Sequence, residues 1–193
     1  KAGQLLVKKN IRIDFAYTSY LKRANSTLKI ILENMKLENI GFIKSWEFNE
    51  RHYGSLTGLN KSEMKEQLGE EKIKIYRRSW DIAPPELSED DEFNPRNDII
   101  YKGINQDAIP NTESLKDTYD RVIPYFNINI RPKILAGKNV IIAAHGNSLR
   151  ALCKLLFNIS NENINKLEIP TGNPLLVKLD SDLKFISAYY LDE

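Results

Sequence analysis

The strongest constraint on the fold is a single run, Val140-Ile141-Ile142-Ala143-Ala144, followed at once by His145-Gly146-Asn147-Ser148. A continuous apolar stretch of this length predicts a strand buried on both faces, as in parallel sheets. The next segment places Leu149, Leu152, Leu155 and Leu156 on one side of a predicted helix that runs to about Phe157. Strand, tight turn and helix in succession are the building unit of α/β domains. The rest of the chain agrees. Residues 11–17 and 42–48 alternate and predict strands. Residues 19–35 carry Leu21, Ala24, Leu28, Ile31, Leu32 and Met35 at helical spacing. Residues 2–9 read as the end of a helix. Residues 60–69 predict a helix ended by Gly69, with a second helix over 71–80. Thr112 is the expected N-cap of a helix over 113–135, which Pro124 and Pro132 would kink or split. A short helix is expected over 161–167. Two late strands, 175–179 and 185–191, are joined by an Asp180-Ser181-Asp182 turn. The expectation is an α/β protein with a largely parallel sheet, an antiparallel edge from the late pair, and one domain over residues 1–193.

Charge and cysteine content narrow the function. Among 193 residues, 28 are basic and 26 acidic, a formal net charge of +2. Bulk charge therefore gives no reason to expect a nucleic-acid or membrane-surface partner. Cys153 is the one cysteine, so an intramolecular disulfide is impossible and a reducing compartment is expected. With two histidines, the chain has too few ligands for a Cys/His zinc cluster. No apolar run approaches the roughly 20 residues of a membrane-spanning helix, and no signal peptide is visible. The sequence opens Lys-Ala-Gly-Gln, without Met, which suggests a processed chain or part of a longer one.

Three segments carry candidate chemistry. His145 is expected at the carboxyl end of the buried strand, where α/β sheets bind ligands. The helix after it would point free amides at the same crevice, a setting that favours phosphate, and Gly146 would let a ligand approach the backbone. The plain alternative for a lone strand-end histidine is a structural role. Residues 49–61, Asn-Glu-Arg-His-Tyr-Gly-Ser-Leu-Thr-Gly-Leu-Asn-Lys, set Glu50 beside Arg51 like an acid beside an anion clamp; a surface ion pair is the alternative. His52 is expected to be structural, and Cys153, within a leucine-rich helix, to be core. Arg23, Lys61, Arg77 and Arg78 fall at element ends and could converge on an anion, although Arg77-Arg78 could equally be a solvated helix face. A compact anion pocket in a nearly neutral protein fits a small charged metabolite better than a nucleic-acid backbone. The acidic, proline-punctuated stretch from Pro84 to Pro110 is long enough to be a lid, with a solvated surface loop as the alternative.

Six stretches in order, DFAYTSYLKRA (14–24), NERHYGSLTGLNK (49–61), YRRSWDIAPPEL (76–87), TESLKDTYDRVIPYF (112–126), AAHGNSLRAL (143–152) and IPTGNPLLVKLD (169–180), cover essentially the whole chain. Through them it closely resembles the cofactor-dependent phosphoglycerate mutases of the histidine phosphatase superfamily. The resemblance implies a three-layer α/β/α sandwich and a glycolytic enzyme, an isomerase that interconverts 3-phosphoglycerate and 2-phosphoglycerate. It implies a phosphohistidine primed by 2,3-bisphosphoglycerate, with no metal. Glu50 would be the proton donor and acceptor, and Arg23 and His145 would contact the transferring phosphoryl group. Arg51, Tyr53, Lys61, Arg77, Arg78, Gly146 and Asn147 would bind the rest of the substrate. Partners would be small phosphorylated three-carbon acids, with no nucleic acid or membrane, in a cytoplasmic homo-oligomer, a dimer or tetramer. The 84–110 stretch maps onto the family's active-site cover.

The departures are specific. The family opens with a strand ending Arg-His-Gly-Glu, whose His is the nucleophile, and no such motif occurs in these 193 residues. The family's tail beyond Glu193 is also missing, Thr57 stands where Gln is common, and Asn173 occupies the variable place of the Ile-Pro-Thr-Gly-x-Pro motif. Losing a central strand would cost more than a typical stability margin of about 5–15 kcal/mol, so a longer natural chain is expected. The alternatives are a bisphosphoglycerate synthase or phosphatase, which shares nearly all these residues, or an inactive anion-binding relative if the nucleophile is truly lacking.

Overall fold

The computed structural model describes residues 1–192, apart from the side chains of Lys61 and Gln67. Its centre is a three-stranded parallel sheet of β1 (Phe15–Thr18), β2 (Ile43–Lys44) and β3 (Val140–Ala143), in the order β2-β1-β3. Side-chain alternation splits the strands cleanly between two layers. Ala16, Ile141 and Ala143 pack on Leu28 and Leu32 of α2 (Lys22–Met35). Phe15, Tyr17, Val140 and Ile142 pack on the other face, against Val122 and Ile123 of α4 (Leu115–Tyr125) and Leu152 of α6 (Gly146–Leu156). The result is helix, sheet and helix in three layers, as the alternating elements require. α1 (Ala2–Lys8) adds Leu6 to Ile31 of α2 and to Leu191.

The late strands differ from the expected arrangement. β4 (Leu175–Leu179) and β5 (Phe185–Tyr190) pair antiparallel, but as a sheet of their own rather than as an edge of the first. β3 therefore bonds only to β1 among the described residues. Its four residues are half-buried, not buried on both faces as their apolar character predicts.

Several boundaries also move, for identifiable reasons. Only residues 43–44 of the 42–48 run pair as a strand, because Trp46–Phe48 turns in a 3-10 helix. The break expected at Gly69 is present: α3 (Lys61–Arg78) is two helical pieces that meet there at a non-helical residue with φ +75°. Such a φ is open to glycine without penalty. Ser114, not Thr112, caps α4, accepting from the Asp117 amide while Asp117 accepts from Ser114. Thr112 donates instead to the Pro84 carbonyl at 2.7 Å. After Pro124 the long helix passes through a π-helical turn (Phe126–Ile130) before α5 (Arg131–Leu135). The expected 161–167 helix is a single 3-10 turn, Ile164–Lys166. Between α3 and α4 the chain is irregular, with three short 3-10 turns.

Candidate active site

Parallel pairing of β1 with β3 matches Thr18 to Ala143, so the residues just past each strand emerge side by side. Ser19 is fully buried there and His145 nearly so. His145 follows two residues after the end of β3 and serves as the N-cap of α6. Ser148 locks the turn: its hydroxyl accepts from the His145 amide and lies 3.1 Å from the Phe48 carbonyl.

Both His145 ring nitrogens are engaged. Arg23, in the first turn of α2, places Nη2 3.0 Å from Nδ1, and Ser19 Oγ lies 2.8 Å from Nε2. A guanidinium can only donate, so Nδ1 accepts and the neutral ring carries its proton on Nε2, which donates to Ser19. The electrostatics agree. Burial is the main force lowering the His145 pKa below its ordinary 6.5, Arg23 and Arg121 add to it, and Glu50 opposes it.

Two residues along α6, Asn147 holds Glu50. Glu50 Oε1 accepts from the Arg51 amide at 2.8 Å, from the Asn147 amide at 3.3 Å and from Asn147 Nδ2 at 3.0 Å. Asn147 Nδ2 also reaches Tyr53 Oη at 2.9 Å. Arg51 is 2% exposed. Its guanidinium stacks over the Tyr53 ring and donates through Nη2 to the Tyr76 carbonyl. Nε and Nη1 meet no acceptor among the described residues. A buried cation without a counter-charge is strongly unfavourable unless an anion joins it, so the donor set here fits a phosphate or carboxylate.

The strand-end loop carrying these groups is clamped by a buried ion pair that sequence reasoning missed. Arg121 Nε and Nη2 bind Glu113 Oε1 and Oε2 at 2.6 and 2.9 Å, with side chains 9% and 1% exposed. Arg121 further donates to the carbonyls of Glu47, Asn49 and Glu50. Glu113 accepts from the His52 amide, and its own amide donates back to the His52 carbonyl. His52 thus contributes chiefly through its backbone, and burial pushes its ring pKa down. The signal available was two opposite charges eight residues apart, across the start of the helix expected over 113–135. Ser19 was missed for a related reason: only strand register brings it to His145.

The remaining expected residues divide. Arg78 reaches Glu168 at 2.7 Å from an exposed position. Arg77 is exposed and lines a shallow hollow with Met64, Lys65, Glu70 and Ile73. The side chain of Lys61 lies outside the described residues. Gly146 opens α6, and a Cβ there would meet nothing within 4 Å. Cys153 is buried and its thiol is pushed up to about 12, which makes it inert at neutral pH. Among the described residues no cluster of His, Cys, Asp and Glu is placed to hold a metal, and no helix is long and apolar enough to cross a membrane.

Comparison with known proteins adds identity to this geometry. The sequence pattern of the histidine phosphatase superfamily (branch 1) matches residues 1–105 and 88–191. A 2,3-bisphosphoglycerate-dependent phosphoglycerate mutase of Pelagibacter ubique is 51% identical over 193 residues, all of this chain and 81% of the relative. The proteins of the same name from Lachnoclostridium phytofermentans and Parabacteroides distasonis are 53% and 49% identical, again over all of this chain and 77% and 78% of theirs. Among solved structures, the native mycobacterial glucosyl-3-phosphoglycerate phosphatase superposes with a TM-score of 0.68 at 19% identity, covering 98% of this chain and 80% of that one. Bacillus stearothermophilus YhfR gives 0.65 at 16%, covering 96% and 77%. At such identities the structural likeness speaks for the fold.

Proposed function

The chain belongs to the 2,3-bisphosphoglycerate-dependent phosphoglycerate mutase family of the histidine phosphatase superfamily, and from that premise we propose that it interconverts 3-phosphoglycerate and 2-phosphoglycerate at the crevice beside α6. One observation carries the reading. The Glu50 carboxylate and the Arg23 guanidinium are tied to Asn147 and His145, two residues apart at the start of one helix. Moving a phosphoryl group between neighbouring hydroxyls needs a group that takes and returns a proton, and cations around the transferring oxygens.

Glu50 supplies the first need. Its Oε1 accepts three N–H groups, and among the described residues no hydrogen bond is made to Oε2. Oε2 is thus the oxygen free to take the proton of the substrate hydroxyl and hand it back. Arg23, the His145 ring and the first amides of α6 supply the second, in a buried setting where fixed dipoles act strongly. An arriving phosphoryl oxygen competes with the His145 ring for Arg23. Freed of that bond and facing an anion, the ring gains a proton more readily. Arg51 offers Nε and Nη1 to the substrate, Tyr53 packs beneath its guanidinium, and Gly146 lets the ligand approach the helix start. Lys61, Arg77 and Arg78 are assigned to the remaining substrate charge on the strength of the family resemblance alone.

The relatives' name includes 2,3-bisphosphoglycerate, which, when bound, supplies a phosphoryl group to the family's nucleophilic histidine. The bare Arg51 donors and Arg23 suit such a polyanion. Neither histidine of the 193 residues fills the nucleophile's place: His145 has both ring nitrogens engaged, and His52 is tied to the core. A cytoplasmic homo-oligomer working without metal completes the proposal. Phosphorus NMR of the full-length protein with 3-phosphoglycerate and catalytic 2,3-bisphosphoglycerate tests it. Growth of the 2-phosphoglycerate signal is expected. Release of inorganic phosphate alone would instead make the protein a phosphatase, and silence in both signals would make it an inactive anion binder.

A further inference from the structure

Arg150 lies one helical turn beyond Asn147 on α6, and neighbours three residues apart share a helix face. Its Nη1 stands 2.8 Å from Asn147 Oδ1, and its Nε donates to the Leu167 carbonyl at 2.9 Å. No carboxylate pairs with Arg150 among the described residues, although it is half-buried. An asparagine amide has two orientations of nearly equal shape, and its hydrogen bonds decide between them. Arg150 can only donate, so it draws Oδ1 toward itself and turns the NH2 toward Glu50 Oε1 and Tyr53 Oη. In the flipped orientation Oδ1 would face the Glu50 carboxylate, acceptor against acceptor, while the NH2 faced the guanidinium, donor against donor.

We propose that Arg150 is a positioning residue for the mutase reaction, acting through Asn147: it fixes the amide so that Glu50 Oε1 stays saturated with N–H groups and Oε2 is left to handle the substrate proton. The inference rests on the mutase reading of the site. Burial and the neighbouring charges of Arg78 and Arg51 work against the Arg150 charge, and Glu168 supports it, so the cation is kept at this place at some expense. That fits a role in the centre rather than a surface ion pair.

A double-mutant cycle separates action through Asn147 from independent action. In the full-length protein, Arg150→Met is expected to lower kcat about 10- to 100-fold, the scale of one charge-assisted hydrogen bond, with KM changed less than about threefold. Asn147→Ala should lower kcat similarly, and adding Arg150→Met to it should cost no more than about a further twofold. Losses that multiply, or an Arg150→Met enzyme with normal kcat, would overturn the proposal. Should Arg150→Met fail to fold, Arg150→Lys, which keeps the stem and charge but cannot hold both acceptors, goes through the same cycle. A second readout needs no turnover: the Asn147 side-chain amide protons should exchange with water at least about tenfold faster in the Arg150 variant. If the unmodified protein shows no mutase activity, the functional reading fails, and this exchange rate alone decides the Arg150–Asn147 link. Unchanged exchange refutes that link.

Discussion

Two arginine–glutamate pairs of this molecule are alike in sequence terms and opposite in physical character. Arg121–Glu113 lies under the strand-end loop with both side chains almost wholly buried. Arg78–Glu168 spans the end of α3 and the approach to β4 at 45% and 68% side-chain exposure. In the first pair Arg121 binds both Glu113 oxygens and also donates to the carbonyls of Glu47, Asn49 and Glu50, and so determines where Glu50 sits. The second holds one contact to Glu168 and one long contact to the Asn165 carbonyl. A cation is fixed in one place when strand register and burial leave it nowhere else to be; charge at an element end does not by itself fix it.

Breaking the buried pair is the largest stability effect expected. Arg121→Met leaves Glu113 buried without its partner and should cost about 3–5 kcal/mol, whereas the paired change Arg121→Met with Glu113→Leu should recover much of that. Urea unfolding of both variants beside the unmodified protein checks it. Equal loss in the single and double variants would mean that the pair matters for packing volume rather than charge.

Acid probes the same region through its histidines. Burial lowers the pKa of both His145 and His52 in the folded protein below 6.5. Between those lowered values and 6.5 the unfolded chain binds more protons, so stability rises with pH there. The contribution is complete above about 6.5 and is lost as pH falls below it. The thermal midpoint should therefore drop on acidifying from pH 7 to 5, and less steeply in His52→Gln. A midpoint that rose on acidifying would contradict neutral, buried rings. The smallest effect belongs to the exposed pair: Arg78→Met should change stability by less than about 1 kcal/mol, read from the same urea curves. A larger loss would erase the contrast between the pairs.

What the sequence made legible follows from how local each determinant is. The apolar 140–144 run and the helix after it declare β3 and α6, because the hydrophobic pattern of each is set within a few residues. The place of His145 at their junction was legible for that reason, and Glu50 stood out only as an acid beside Arg51 at the start of the polar 49–61 segment. Ser19 was not, since its meeting with His145 depends on pairing across 126 residues. Nor was the Glu113–Arg121 clamp, whose value lies in carbonyls some 70 residues away. Half-burial of β3 was equally invisible, because burial is set by tertiary neighbours that local pattern does not name. Arg77 shows the converse: an element-end cation beside a suspected anion site can still face outward.

The central claim is that Glu50, held by Asn147 beside the Arg23–His145 pair, moves the substrate proton. The most direct measurement compares Glu50→Gln with the unmodified full-length enzyme, reading kcat by phosphorus NMR and 3-phosphoglycerate affinity by calorimetry. The amide keeps the shape and a hydrogen bond to the substrate hydroxyl but cannot take its proton. The expected result is a kcat lowered about 10²–10⁴-fold with affinity changed only a few-fold. Near-normal turnover in Glu50→Gln would contradict the claim.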